Sequence, residues 1–327
     1  MKKRWIILMG LVTAAAIVLG GWNWYQDRSP AAVGANHAPG LVSRGMSDLP
    51  SIDAQRLWAD VETLSFERHS KSDRRRAREY ILSALQQAGW QPQLQEFKDG
   101  TNITARRSGT DPAAGTILLA AHYDTVEQSP GGDDNATGVA TVLEAARLLG
   151  QYDTARTLDL VWFDLEETGL VGSTAFAEQL PASANLQAAI ILDMIGYACQ
   201  TEGCQSYPPL PISPPTDRGD FLALIGDQAH ADLLNSFALP ARSAQSKLPQ
   251  LFTLAVPTFG RLTPDLMRSD HVPFWRKGIG AILVTDTANF RNPHYHQPSD
   301  TLETLDRDFF LGAAQIVVNA TLTLLVR

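Results

Sequence analysis

The sequence is short of the residues that build self-contained metal or redox centres. Of 327 residues only two are cysteine, Cys199 and Cys204. Neither a thiolate zinc cluster nor a CxxC redox pair can be assembled from them. Cations are also scarce: 27 Lys and Arg stand against 35 Asp and Glu, for a formal charge of −8. Three of those cations, Lys2, Lys3 and Arg4, sit together at the N-terminus, so the rest of the chain is more acidic still. An acidic body repels a phosphate backbone and argues against nucleic-acid partners. No internal repeat recurs, which argues against a solenoid or propeller. What the chain does have is apolar content, 44% of residues. That is too much for a disordered chain and enough for a large core.

Lys2, Lys3 and Arg4 precede an uncharged run from Trp5 to Trp22. A basic flank before an apolar stretch of about 18–20 residues reads as an export segment. A cleaved signal peptide and an uncleaved anchor both fit. Ala14, Ala15 and Ala16 offer a cleavage site, but the apolar run continues past them. Trp22, Trp24 and Tyr25 suit an aromatic belt at an interface and favour the anchor. Residues 1–26 are therefore expected to be the signal-anchor, residues 27–50 a Ser/Pro/Gly-rich linker, and residues 51–327 one catalytic domain. The expected location is exported, in the periplasm or outside the cytoplasm, held to the inner membrane.

Within that domain, helical spacing of Ile52, Leu57, Val61 and Leu64 predicts a first helix. A second is expected after Ser72 as N-cap, with Arg74, Arg75 and Arg76 on a solvated side and Gly89 at its end. Strands are expected at 102–105, 116–121, 157–163, 188–192 and 281–284, with helices at 136–149, 172–179 and about 310–324. Strands alternating with helices predict an α/β fold, a mostly parallel twisted sheet covered on both faces.

Polar residues recur just beyond the carboxyl ends of the strands. TILLAA leads to His122 and Asp124, TLDLVWF to Glu166 and Glu167, AAIIL to Asp193, and AILV to a loop holding His294 and His296. These ends are where sites form in open α/β sheets. Imidazole and carboxylate without thiolate is the donor set of a hydrolytic zinc site. His122 and Asp124 project to the same side of an extended chain, so Asp124 can orient the imidazole. Asp134 lies in a glycine-flanked acidic turn, where it is either a helix cap or a rigidly held carboxylate able to bridge two metals. Adjacent Glu166 and Glu167 point apart, which suits one to bind metal and the other to take a proton. Asp193 ends an apolar strand and needs a partner. Spacing alone does not choose between His294, His296 and His271 as the last ligand.

Six stretches together, AAHYDT (120–125), GGDDNATG (131–138), DLEETGLVGS (164–173), LDMIGY (192–197), RSDHVPFW (268–275) and NPHYHQPSDT (292–301), resemble the co-catalytic di-zinc aminopeptidases. That broad family includes bacterial leucyl aminopeptidases and is related to glutaminyl cyclases and glutamate carboxypeptidase. The resemblance implies two zinc ions per chain, held by His122, Asp134, Glu167, Asp193 and His296, with Asp134 bridging. It implies Glu166 as general base, Asp124 beside His122, and Tyr295 as support for the oxyanion. His294 and His271 then revert to structural roles or to supporting the ligands, Asp133 is no ligand, and Asp270 becomes a candidate either for supporting the ligands or for facing the substrate. The expected substrates are peptides with a free N-terminus. Two other functions share this pattern: a one-zinc glutaminyl cyclase, and a non-catalytic ectodomain of the transferrin-receptor kind. Trp162, Phe163, Tyr197, Phe221, Trp275 and Phe290 could line an apolar pocket or simply fill the core. Cys199 and Cys204 could pair, and Asn102-Ile103-Thr104 matches a glycosylation acceptor.

Overall fold

The computed structural model describes residues 49–181, 184–209, 216–238, 248–257 and 263–327. The expected anchor and nearly all of the expected linker lie outside the described residues. Helix α1 (Ala54–Leu64) starts on Asp53, whose carboxylate accepts the amides of Gln55 and Arg56, and buries Leu57, Val61 and Leu64. Helix α2 (Lys71–Gln87) is capped by Ser70, not by Ser72 as the sequence suggested. Ser70 is still extended and its hydroxyl accepts the Asp73 amide at 3.2 Å, whereas Ser72 is already helical. Arg74 is a second correction. It falls in line with Ala77 and Ile81 on the buried stripe and pairs with Asp164 at 2.7 Å. Arg75 and Arg76 are exposed as expected.

The strands are β1 (Gln93–Phe97), β2 (Gly100–Arg107), β3 (Thr116–His122), β4 (Thr157–Phe163), β5 (Leu186–Leu192), β6 (Phe221–Asp227), β7 (Gln250–Val256) and β8 (Ala281–Thr285). They form one eight-stranded sheet in the order β1-β2-β4-β3-β5-β8-β6-β7. The central ladders β4-β3-β5-β8 are parallel, β6 and β7 are parallel to each other, and β1, β2 and the β6–β8 junction add antiparallel pairings. Strands β1, β6 and β7 are additions to the sequence reading. QLQEF is a mostly exposed edge with little pattern, and a short apolar run such as FLALI does not tell a strand from a buried helix.

Alternation along the strands builds two cores. Ile117, Leu119 and Ala121 of β3 face one layer, and Leu118 and Ala120 the other. The first layer is α1, α2, α3 (Gly138–Leu149) and α6 (Arg307–Leu325); the second is α4 (Val171–Gln179) and the short α5 (Val272–Arg276). Helix α6 is long and apolar enough to cross a membrane, yet 78% of that window is buried against the sheet, so it is a core helix. The chain leaves β3 through α3 toward β4 and returns through α4 to β5 on the other side. The sheet therefore splits its connections at the end of β3, the place where α/β sheets open a crevice.

One cation underpins that crevice. Arg68, in the α1–α2 connection, is 0% exposed. Its guanidinium donates to the carbonyls of Leu64, Phe66, Tyr123, Pro130 and Gly131, and its amide to the Thr125 hydroxyl. Burial lowers its pKa to about 10, while Asp300, Asp134, Asp124 and Glu167 hold its charge in place. Arg68→Met would leave those carbonyls buried without donors. The expected cost is about 3 kcal/mol or more, read as a fall in the unfolding midpoint. Unchanged stability would remove Arg68 from this role.

Candidate metal centre

Four loops at the carboxyl ends of parallel strands converge. His122 ends β3, Glu166 and Glu167 follow β4, Asp193 follows β5, and His296 lies in the loop after β8. Asp134 comes from the turn between β3 and α3. Its two oxygens face different imidazoles: Oδ1 is 3.3 Å from His122 Nε2 and Oδ2 is 3.3 Å from His296 Nε2. His122 Nε2 is also 3.6 Å from Asp193 Oδ1, and His296 Nε2 is 3.0 Å from Glu167 Oε2. His122, Asp134 and Asp193 form one triad of convergent donors, and Asp134, Glu167 and His296 another, the donor atoms of each lying within 4.8 Å of one another. Two donors each about 2.0–2.1 Å from a tetrahedral ion stand about 3.3–3.4 Å apart, so these spacings fit zinc. A further observation agrees. His296 Nε2 and Glu167 Oε1 are buried and have no hydrogen-bond partner among the described residues.

The sites of these side chains are set by neighbours. Asp124 was expected to accept from the His122 ring. Its carbonyl oxygen is the nearer acceptor, 3.3 Å from Nδ1, against 3.5 Å for the carboxylate. The carboxylate is taken up instead by the amides of Glu166 and Glu167, at 3.0 and 3.2 Å. Asp124 thus fixes the turn carrying both glutamates, and either contact to Nδ1 leaves Nε2 as the free donor. Asp300, which the sequence reading did not single out, accepts the amides of Asp133 and Asp134 at 2.9 and 3.1 Å. Asn135 joins the carbonyl of Leu192 and the amides of Gly138 and Met194, locking the Asp134 turn to the end of β5. Asp133 points away from the cluster, accepting from Gly196 and Asn292. Leu165, Met194 and His296 have left-handed backbone, with φ of 59°, 54° and 58°. Such strain gathers where surrounding structure dictates a conformation, here at His296 itself, next to Asp193 and next to Glu166.

The other candidates sort themselves. His294 bonds Ser299 and packs edge-on to Tyr197, outside the cluster. His271 is buried, bonds the Leu266 carbonyl and packs against Trp275. Asp270 is fully buried and does not line the cavity, where Arg268 and Ser269 take the lining positions. Of its two expected places, the one facing the substrate is corrected; its buried charge acts on Glu166 instead. Asn102 is 0% exposed and bonds Gln95 and the Gly172 carbonyl, so in the folded chain it is no glycosylation acceptor.

Crowded carboxylates set the electrostatics. Burial pushes Glu166 well above the usual range; His122 opposes this, and Asp270, Asp193 and Glu167 add to it. Burial, with the charge of Asp134, likewise raises Glu167 to about 7. Asp134 behaves oppositely: against the effect of burial, His122 and His296 hold it below the usual range. His296, despite burial, is pushed up to about 10 by Asp134 and Glu167. Carboxylates this close and this dry call for compensating positive charge.

A cavity of about 500 Å³ opens from the cluster. Asp134, Glu166, Glu167, Asp193, Tyr295 and His296 form its polar end. Ile225, Phe252, Leu254, Leu266, Leu283 and Phe290 form an apolar wall over β6, β7 and β8. Residues Gln205 to Pro208 close one side, in the loop where Cys199 and Cys204 form a disulfide. Of the aromatic residues considered from sequence, Phe290 lines the cavity, whereas Trp162, Phe163 and Trp275 are core. Phe221 stacks on Tyr207 behind the wall.

Known proteins place this architecture. The chain is 36% identical over 229 residues to the uncharacterized protein YfbL of Escherichia coli (strain K12), covering 65% of this chain and 68% of that protein. It is 27% identical over 237 residues to leucine aminopeptidase 1 of Trichophyton equinum, covering 66% of this chain but only 56% of the fungal protein. Its fold matches that of BSAP, a zinc aminopeptidase from Bacillus subtilis, with a TM-score of 0.66 at 16% identity over 84% of this chain and 95% of that one. It also matches glutaminyl cyclase from Porphyromonas gingivalis, with a TM-score of 0.57 at 21% identity over 83% and 98% of the two chains. A sequence model of peptidase family M28 matches residues 102–321, and the chain belongs to that family.

Proposed function

We propose that the chain is a two-zinc aminopeptidase that removes the first residue from peptides. The observation that carries this reading is Asp134, whose two oxygens each face a different imidazole at 3.3 Å. His122, Asp134 and Asp193 would hold one ion, and Asp134, Glu167 and His296 the other. Zinc there would supply Lewis acidity toward the scissile carbonyl and toward the attacking water. The rest is the work of the chain's own groups. Glu166, on the cavity wall, takes the proton of the attacking water and passes it to the leaving amine. Asp124 keeps that glutamate aimed by holding its amide. Tyr295 donates a hydrogen bond to the oxygen on which charge develops. The carboxylates favour a free α-ammonium, and the apolar wall receives the first side chain. The basic and apolar N-terminal segment supports an exported enzyme held at a membrane, and the disulfide accords with an oxidising compartment.

Glutaminyl cyclisation is the second reading, kept because a glutaminyl cyclase shares the fold. Aminoacyl-anilides and an N-terminal glutaminyl peptide, offered to the zinc-loaded full chain, separate the two. Release of the amino acid is expected; ammonia release from the glutaminyl peptide alone would overturn the peptidase reading.

Glu166→Gln is expected to keep zinc content and lower kcat by about 10²–10⁴-fold; a kcat near wild type would rule out Glu166 as base. Zinc per chain should drop from two to one or fewer in His296→Ala and stay unchanged in His294→Ala, and the reverse pattern would reassign the ligand. A chelator should abolish hydrolysis and lower the unfolding midpoint, and zinc should restore both. Hydrolysis that survives complete removal of metal would contradict the proposal.

A further inference from the structure

Arg268 stands at the mouth of the cavity and has no part in the chemistry described so far. Its guanidinium is exposed, yet it is not free. Nη1 donates to Asn289 Oδ1 at 2.9 Å, and Nη2 donates to the Tyr295 hydroxyl oxygen at 3.0 Å. The guanidinium carbon lies 5.8 Å from the Tyr295 ring centroid. That ring in turn stacks on the His296 imidazole, with centroids 3.7 Å apart and planes 21° from parallel. Asn289, Arg268, Tyr295 and His296 thus form one continuous chain of contacts. It ends on a side chain that faces Asp134 and Glu167.

A guanidinium only donates and keeps its charge at any working pH. A phenol oxygen that accepts from it must send its own hydrogen elsewhere. Tyr295 lines the cavity beside Asp134, Glu167 and His296, so the hydroxyl has that space to donate into. We propose that Arg268 is a positioning residue for Tyr295. It occupies the acceptor side of the phenol, turns the O–H toward the scissile carbonyl oxygen, and strengthens it as a donor by polarising the Oη. Asn289 sets the fork, because it holds the second guanidinium nitrogen. This rests on the aminopeptidase reading and on Tyr295 as a donor within it.

The hydrogen bond strengthens as charge builds on the carbonyl oxygen, so its loss should appear in kcat and not in KM. Lysine can make one donation to Tyr295 but cannot keep the planar fork that Asn289 anchors.

The test uses the full chain, zinc-loaded, as wild type, Arg268→Met, Arg268→Lys, Tyr295→Phe and the Arg268→Met/Tyr295→Phe double variant. Hydrolysis of a leucyl-anilide gives kcat and KM, and zinc per chain is measured on each sample. Tyr295→Phe should lower kcat about 10²-fold, as loss of one oxyanion donor does, and Arg268→Met about tenfold. KM and zinc content should not change. Arg268→Lys should fall between Met and wild type, and Arg268→Met should cost nothing more once Tyr295 is Phe. A full loss from Arg268→Met in the Phe background would show that Arg268 acts independently of Tyr295 and overturn the proposal. So would a wild-type kcat for Arg268→Met beside an impaired Tyr295→Phe, or a drop in zinc content that accounts for the loss. A wild-type kcat for Tyr295→Phe would instead refute the role given to the tyrosine itself, and the proposal with it.

Discussion

The structure around the cavity depends on one carboxylate held between two imidazoles. Asp134 can present an oxygen to His122 and another to His296 only because its turn is fixed from three sides. Asp300 accepts the amides of Asp133 and Asp134. Asn135 ties the turn to the end of β5 through Leu192 and Met194. Arg68 bonds the carbonyls of Pro130 and Gly131 directly before it. A carboxylate on a mobile loop could not serve two partners with fixed spacing. A buried carboxylate without cationic partners would cost several kcal/mol.

The same crowding explains why arginines flank the cluster. Arg68 lies under it, and Arg291 feels the charges of two buried carboxylates, Asp133 and Asp286. Arg291 bonds Gln205, the Tyr197 carbonyl and the Phe221 carbonyl. It therefore links the loop after Asp193 to the cavity wall. Each arginine balances buried negative charge and, with the same fork, joins segments far apart in sequence. Charge compensation and loop geometry are in this way carried by the same groups, and the cavity inherits its shape from them.

Much of this was legible from sequence because the strands of the sheet's centre are buried on both faces. TILLAA, TLDLVWF and AAIIL alternate with helical stretches and so read as strands, which puts the polar residues after them at one end of the sheet. The helix pattern was equally plain for α1 and α6. What stayed hidden follows from physics that single positions do not show. The role of Asp300 depends on a turn more than 160 residues away meeting its carboxylate. Nothing in the sequence marks Arg68; its role shows only where five carbonyls converge on it. Arg74 looked solvated because its neighbours are; only the register of α2 places it on the buried stripe. Asp124 lies beside His122, but the chief contacts of its carboxylate are amides of the glutamate turn, and a backbone partner leaves no mark in sequence.

We propose that Asp134 serves two ions at once. Anomalous scattering at the zinc edge from a crystal of the zinc-loaded full chain tests it most directly. Two peaks are expected, one between His122 and Asp193 and one between Glu167 and His296, with an oxygen of Asp134 on each. A single peak, or two peaks with Asp134 bound to neither or to only one, would contradict it.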